Sequence, residues 1–425
     1  MKIKIKKATV SEALSKTRTK RVTPKKPDIF FRTLLKIVSQ PDLKATNFKL
    51  TKIGMEKLGK KQPCLFLMNH ESFIDLKIAV SSLYPRPFNI ICTEDGLIGL
   101  KWLLRNLGCV PTRKFVPDMQ LIRDMQHCLT ELNSSVLMYP EAGYSIDGSA
   151  TALPESLGRC VKLLGAPVVT IISDGAFNRQ PLFNQLKKRE VNVTATMEYL
   201  LSPEDVKRMS ADEINDKLKE KFSFDAFRDQ FNGGVIIDEP DRAAFLNRVL
   251  YKCPHCGAEG KTVGEGVTLT CSACGKVYEL LPSGKLESRD GDTKFSFVTD
   301  WYAWERECVK DEILNGSYSV SDEVEIYMVV NTKALYHVGE GLLSHDQNGF
   351  NLFDKEGKTL FTQGPLFSYS VNVDFNWYEI GDVICIGNAD VTYCCIPKNL
   401  KDVVAKVRLG VEESYKIAKA ANKHK

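Results

Sequence analysis

Cys64-Leu65-Phe66-Leu67-Met68-Asn69-His70-Glu71-Ser72-Phe73-Ile74-Asp75-Leu76-Lys77-Ile78-Ala79-Val80 decides how this chain is read. Its first five residues form an unbroken apolar run, the composition of a strand buried on both faces. From Ser72 onward the pattern turns helical. His70 therefore falls at the carboxyl end of a strand, where α/β folds place their chemistry. A histidine with an aspartate five positions on can form a base and its orienting partner. Five positions along a regular helix turn about 500°. The two side chains meet only if His70 lies in the turn before the helix and Asp75 in its first turn. Ser72 as N-cap, with Asp75 at the third helical position, gives that arrangement. The same Ser72-x-x-Asp75 also fits a capping box, which requires no chemistry.

The 425 residues leave room for two or three domains, and a 43% hydrophobic content suits a globular protein. No apolar run reaches the roughly 20 residues of a membrane-spanning helix. The basic start is not followed by an uninterrupted apolar segment, so no signal peptide is expected. Four of the thirteen cysteines form two Cys-x-x-Cys pairs and the other nine are scattered. That usage predicts a reducing, cytoplasmic setting with one metal site. Residues 1–36 hold twelve Lys or Arg against Glu12 and Asp28, although the whole chain carries only +5. Residues 1–27 read as a disordered basic tail seeking an anionic partner. Behind it, Asp28 caps a helical pattern in which Phe30, Phe31, Leu34, Leu35 and Val38 share one face. A basic amphipathic helix behind a polybasic arm suits peripheral attachment to an anionic membrane surface. A first core helix is the other reading of the same pattern.

Residues 45–200 alternate strands with helical stretches. The strands are Asn89–Cys92, Val136–Tyr139 and Pro167–Ile172, and the helices run near Gly99–Leu104, Asp118–Leu132 and up to Leu164. The expected fold is an α/β domain over residues 28–240, a mostly parallel sheet covered by helices. Residues 290–397, rich in aromatic and β-branched types with an Asn348-Gly349 turn, read as a small antiparallel β domain. Residues 398–425 read as a C-terminal helix with Leu400, Val403, Val404, Val407 and Val411 on one face.

Between them, residues 250–282 carry Cys253-Pro-His-Cys256-Gly and Cys271-Ser-Ala-Cys274-Gly. Four thiolates at this spacing predict a zinc ribbon holding a structural Zn²⁺ with no open coordination position. His255 reads as a solvent-facing spacer. The ribbon has few basic residues and carries Glu259 and Glu265, which argues against nucleic acid as its partner.

The ordered motifs of residues 30–235 resemble the glycerolipid (lysophospholipid) acyltransferase family. Its first block, Asn-His-x4-Asp, is matched in full by Asn69, His70 and Asp75. Its second, Gly, several apolar residues, then Asp or Asn and Arg, is met by Gly108-Cys109-Val110-Pro111-Thr112-Arg113-Lys114-Phe115. Lys114 stands where the family has Arg, with Arg113 one step earlier. The third, Pro-Glu-Gly-Thr-Arg-Ser, reads Pro140-Glu141-Ala142-Gly143-Tyr144-Ser145, with Tyr144 in place of Arg. Ala166-Pro167-Val168-Val169 matches the apolar fourth block.

The resemblance implies that His70 is the general base on an acceptor hydroxyl and Asp75 its orienting partner. It implies that Arg113 and Lys114 hold an acceptor phosphate, while Glu141 and Gly143 help to bind the acceptor. The donor would be acyl-coenzyme A, acyl carrier protein or an acyl phosphate, and the acceptor a lysophospholipid or glycerol phosphate. The altered second and third blocks motivate a contrasting hypothesis, a non-catalytic lipid-binding or scaffold protein that keeps the fold.

Overall fold

The structure is a computed structural model that describes residues 3–17 and 22–423. Strand β1 (Ile5–Lys7) opens it. A seven-stranded sheet follows, built from β2 (Lys49–Ile53), β3 (Leu65–Met68), β4 (Phe88–Thr93), β5 (Cys109–Thr112), β6 (Ser135–Met138), β7 (Val168–Asp174) and β8 (Thr194–Leu201). Their order is β2-β8-β7-β3-β6-β4-β5, and every neighbouring pair is parallel except β7 with β8. Strand β3 is central and wholly buried. Its alternation sends Phe66 and Met68 into one core with Ile78, Leu137 and Ile171, and Leu65 and Leu67 into another with Val136, Val161 and Ile214.

The helices start where the sequence supplies caps. Asp28 accepts from Phe30 N–H at 2.8 Å and opens the helix Ile29–Ala45. Asp118 opens Met119–Thr130, and Ser202/Asp205 and Ser210/Glu213 are full capping boxes. Among the described residues no helix is long and apolar enough to cross a membrane.

The four-stranded ribbon comprises β9 (Thr262–Glu265), β10 (Thr268–Cys271), β11 (Val277–Leu280) and β12 (Leu286–Ser288). The last sheet comprises β13 (Ser319–Val329), β14 (Leu335–Asp346), β15 (Gly349–Asp354), β16 (Thr359–Gln363), β17 (Asn372–Trp377), β18 (Gly381–Gly387) and β19 (Thr392–Pro397). It is antiparallel in the order β16-β15-β14-β13-β19-β18-β17, with β1 attached to β14. One apolar core runs through the modules, joining Phe177 and Phe227 to Leu269 and Tyr278 of the ribbon, and on to Trp301, Ile326 and Val404.

Three expectations change. First, the described part of residues 1–27 is ordered rather than a free tail. Strand β15 pairs only with Gly341–Asp346, which leaves Leu335–His337 of β14 open, and β1 fills that edge in parallel register. A helix Val10–Leu14 follows with a Thr9/Glu12 capping box and a fully buried Ala13. Second, the β domain is preceded by a helix, Val298–Leu314, inside residues 290–397. Its buried Val298, Trp301, Tyr302, Val309 and Ile313 recur at helical spacing, although their residue types favour strands. Third, the C-terminal helix starts at Val403, so Leu400 lies outside it and is exposed.

Candidate active site

The turn Asn69–Phe73 leaves β3 and is pinned to β7. Asn69 donates from Nδ2 to the Ser173 carbonyl at 3.0 Å, and its Oδ1 accepts from Ser173 N–H at 2.8 Å. Two residues beyond the strand, His70 faces Asp75 in the first turn of the helix Ile74–Leu83, with Nδ1 to Oδ2 at 3.0 Å. The same Oδ2 accepts the Glu71 N–H at 2.7 Å and the Ser72 N–H at 3.0 Å. A carboxylate only accepts, so Nδ1 carries the proton and Nε2 keeps its lone pair. Nε2 has no hydrogen bond to a described residue, and the side chain is 20% exposed. Ser72 is not the cap: the helix begins after Phe73, and the Ser72 hydroxyl has no partner among the described residues. Asp75 therefore closes the turn and orients the imidazole at once.

Burial pushes His70 below the ordinary histidine value, against the hydrogen bond and charge of Asp75, and Lys114 acts in the lowering direction. Two aromatic rings lie against the imidazole, Tyr139 at 4.1 Å and Tyr144 at 4.2 Å between ring centroids. Both pack on a neutral ring, and Tyr144 takes its place where the third block usually carries a cation.

The other expected residues fall into different positions. Glu141 is fully buried, and both its oxygens are taken by backbone, His70 N–H at 2.7 Å and Thr151 N–H at 3.2 Å. It positions His70 from behind, and burial raises its carboxyl to about 8. Ala142 beside it holds φ of +58°, and a Cβ on Gly143 would meet nothing within 4 Å, so this loop borders open space. Arg113 is drawn away from the imidazole. Its Nε and Nη2 bond Glu94 Oε2 at 3.1 and 3.0 Å, and its Nη1 donates to the Asn388 carbonyl at 3.2 Å. Lys114 has no hydrogen bond or ion pair among the described residues, and its charge faces both His70 and Asp374 of β17.

Sequence reasoning missed Glu71, Tyr139 and Asp374. Glu71 is buried, accepts from Asn69 Nδ2 and from Phe177 N–H at 2.8 Å, and is raised well above the usual carboxyl range by burial and by Asp75. Its place inside the first block was the available signal. Asp374 carried none, because it lies about 300 residues downstream.

Away from this site, Cys253, Cys256, Cys271 and Cys274 bring four sulfurs within 4.8 Å of one another, with 3.8 Å across two of the pairs. Four sulfurs at about 2.3 Å from a tetrahedral ion stand about 3.8 Å apart, so the donor set fits one metal ion. Gly257 (φ +76°) and Gly275 (φ +75°) donate N–H to the Cys253 and Cys271 carbonyls, closing each knuckle in a conformation that favours glycine. His255 is exposed, as its spacer role requires.

Residues 49–174 match the family model described as Acyltransferase. The chain is 26% identical over 134 residues to the chloroplastic 1-acyl-sn-glycerol-3-phosphate acyltransferase BAT2 of Brassica napus. That match covers 30% of this chain and spans only 38% of the length of the relative. The crystal structure of the 1-acyl-sn-glycerophosphate acyltransferase PlsC from Thermotoga maritima is similar at 16% identity and a TM-score of 0.37. The likeness covers 45% of this chain and 76% of that one. The matched segment of the family model contains β2 to β7, the His70–Asp75 pair and Glu141. Through residues 49–174 the chain is similar to the acyltransferase family.

Proposed function

We propose that this chain moves a fatty acyl group from an activated donor onto the hydroxyl of a lysophospholipid or glycerol phosphate, in phospholipid synthesis. The observation that carries the reading is the His70–Asp75 pair at the carboxyl end of β3, with Nε2 left open. Nε2 takes the acceptor's hydroxyl proton as that oxygen attacks the donor carbonyl. A carbon–oxygen bond forms and the carbonyl's bond to sulfur breaks, and the imidazolium returns the proton to the departing thiol. An acyl phosphate donor would lose phosphate by the same path. Asp75 holds the tautomer and supports the transient imidazolium, and Glu141 fixes the backbone of His70. Lys114 is the uncommitted cation for an anionic group on the acceptor. Arg113 shapes the loop through Glu94 instead.

Zn²⁺ is the ion that suits the four thiolates, and a closed site of this kind supplies folding energy rather than chemistry. Membrane contact is supported by the outer face of Ile29–Ala45, where Ile29, Phe30, Leu34, Ile37 and Val38 are all exposed, with Trp102 beside Phe31. A peripheral site on the cytoplasmic leaflet would bring the lipid acceptor to His70.

The test is transfer from palmitoyl-coenzyme A to lysophospholipids on anionic vesicles, with H70A beside the wild type. Turnover in the wild type that is lost in H70A supports the reading. Turnover that survives the substitution sinks it, and none in either protein, with carrier-protein and acyl-phosphate donors also tried, favours a binding protein.

A further inference from the structure

The loop from Tyr139 to Ser145 closes around His70. Glu141 Oε2 accepts the His70 N–H at 2.7 Å, and the N–H of Ser145 donates to the His70 carbonyl at 3.1 Å. One loop thus holds both backbone groups of the base, and its two tyrosines lie against the ring. Tyr139 stacks on the imidazole at 4.1 Å between centroids with an interplanar angle of 21°, and Tyr144 lies at 4.2 Å and 39°. The two rings are anchored in different cores. Tyr139 packs on the core of the seven-stranded sheet with Phe66 and Ile78, and Tyr144 on the core that runs through the ribbon and the β domain. Phe73 braces Tyr144 edge to face, at 5.8 Å and 88°. Tyr139 Oη is buried with no hydrogen-bond partner among the described residues, so its contact with the imidazole is made by the ring and not by the hydroxyl.

A neutral imidazole gains little from such rings that an aliphatic wall would not give. An imidazolium gains more, because the negative face of a tyrosine attracts a cation within about 6 Å of the ring centroid. Both rings stand inside that reach. His70 becomes cationic only when Nε2 accepts a proton, so the attraction is weighted to the step in which the proton moves. The charged groups around the ring leave a part for it. Asp75 is the carboxylate bonded to the imidazole, at 3.0 Å. Lys114 acts against a second positive charge there. Burial favours the neutral form of the nearby carboxyls Glu71 and Glu141.

We propose that Tyr139 and Tyr144 are positioning residues that hold the imidazole against two ring faces and stabilise its protonated form by cation–π attraction. Resting on the acyl-transfer reading for its catalytic meaning, this makes the loop 139–145 act through the base. The rings favour the imidazolium that forms as the acceptor's hydroxyl loses its proton.

NMR titration of the His70 ring in the full chain, assigned by its loss in H70A, tests this without turnover. Y144L keeps an apolar wall and removes the π face, and its midpoint should fall by about 0.5 pH. Y144F, which keeps the ring, should titrate as the wild type. The sign discriminates, because a wall that only excluded water would, once thinned, let the midpoint rise. A midpoint in Y144L that is unchanged or higher, or one that falls equally in Y144F, overturns the assignment. Y144M, with the same expectation, replaces Y144L if that variant does not fold. In acyl transfer, Y144L should lower kcat about threefold to tenfold, with Y144F near the wild type. A lowered midpoint in Y144L, with no acyl transfer by the wild type, would refute the acyl-transfer reading and uphold the stabilised imidazolium. Turnover with an unmoved midpoint would do the reverse.

Discussion

The Asp75 Oδ2 atom that sits 3.0 Å from His70 Nδ1 also receives the backbone N–H groups of Glu71 and Ser72. One oxygen thus fixes the imidazole and folds the turn that carries it. Sharing that atom ties the position of the imidazole's partner to the backbone of the turn.

Removing the imidazole should cost far more activity than stability. H70A is expected to lower kcat for acyl transfer by about 10³-fold, within the range for loss of a general base, and to keep the wild-type melting temperature to within a few degrees. A fall of less than tenfold would show that another group takes the proton.

The pH profile follows from burial. The base acts only when neutral, and His70 is held below its ordinary value of 6.5. The acid limb of kcat/KM should therefore fall below pH 6.5, with full activity retained at neutrality. Asp75 opposes the lowering. D75N should shift the limb to still lower pH while reducing the maximum rate. A limb at or above 6.5 in the wild type would mean that burial does not dominate.

Loss of the metal should be felt beyond the ribbon. Leu269, Tyr278, Leu280 and Leu286 belong to the same core as Phe177, Trp301 and Val404. Serine at Cys253 and Cys271 together, or chelation, is expected to remove one zinc per chain by elemental analysis. The main calorimetric transition should fall by more than about 5 °C, since one lost kcal/mol shifts a mid-sized domain by about 2–4 °C. A separate low-temperature transition with the main one unmoved would show that the ribbon unfolds alone.

The outward face of Ile29–Ala45 can be tested by charge. Asp at Phe30 and Ile37, both more than 60% exposed, should weaken sedimentation with anionic vesicles at least tenfold and leave thermal stability unchanged. Unchanged vesicle binding would assign the patch to a protein partner.

Much of the α/β half was legible because its signals are local. The apolar run 64–68, the caps Asp28 and Asp118, and the His70-to-Asp75 spacing each act over a few residues, and the structure places each accordingly. The cluster of four cysteines was legible for the same reason. Ser72 misled because a hydroxyl and a carboxylate three apart also spell a cap, and only the backbone decides between them. The helix 298–314 was hidden by strand-favouring residues whose spacing, not type, sets their structure. The fate of Arg113 was unreadable, since Glu94 and Asn388 reach it from two different modules.

The pairing of β1 with Leu335–His337 has a consequence for synthesis. A chain made from its amino end presents Ile5–Lys7 before their partner, which emerges only after both the seven-stranded sheet and the ribbon. Until then Ile5–Lys7 wait unpaired beside a sheet that can already be assembled. Their lysines are then open to the polyanions around a ribosome, and the final edge is sealed only when the β domain arrives. The β1–β14 contact thus closes only after every strand of the seven-stranded sheet and of the ribbon has been made.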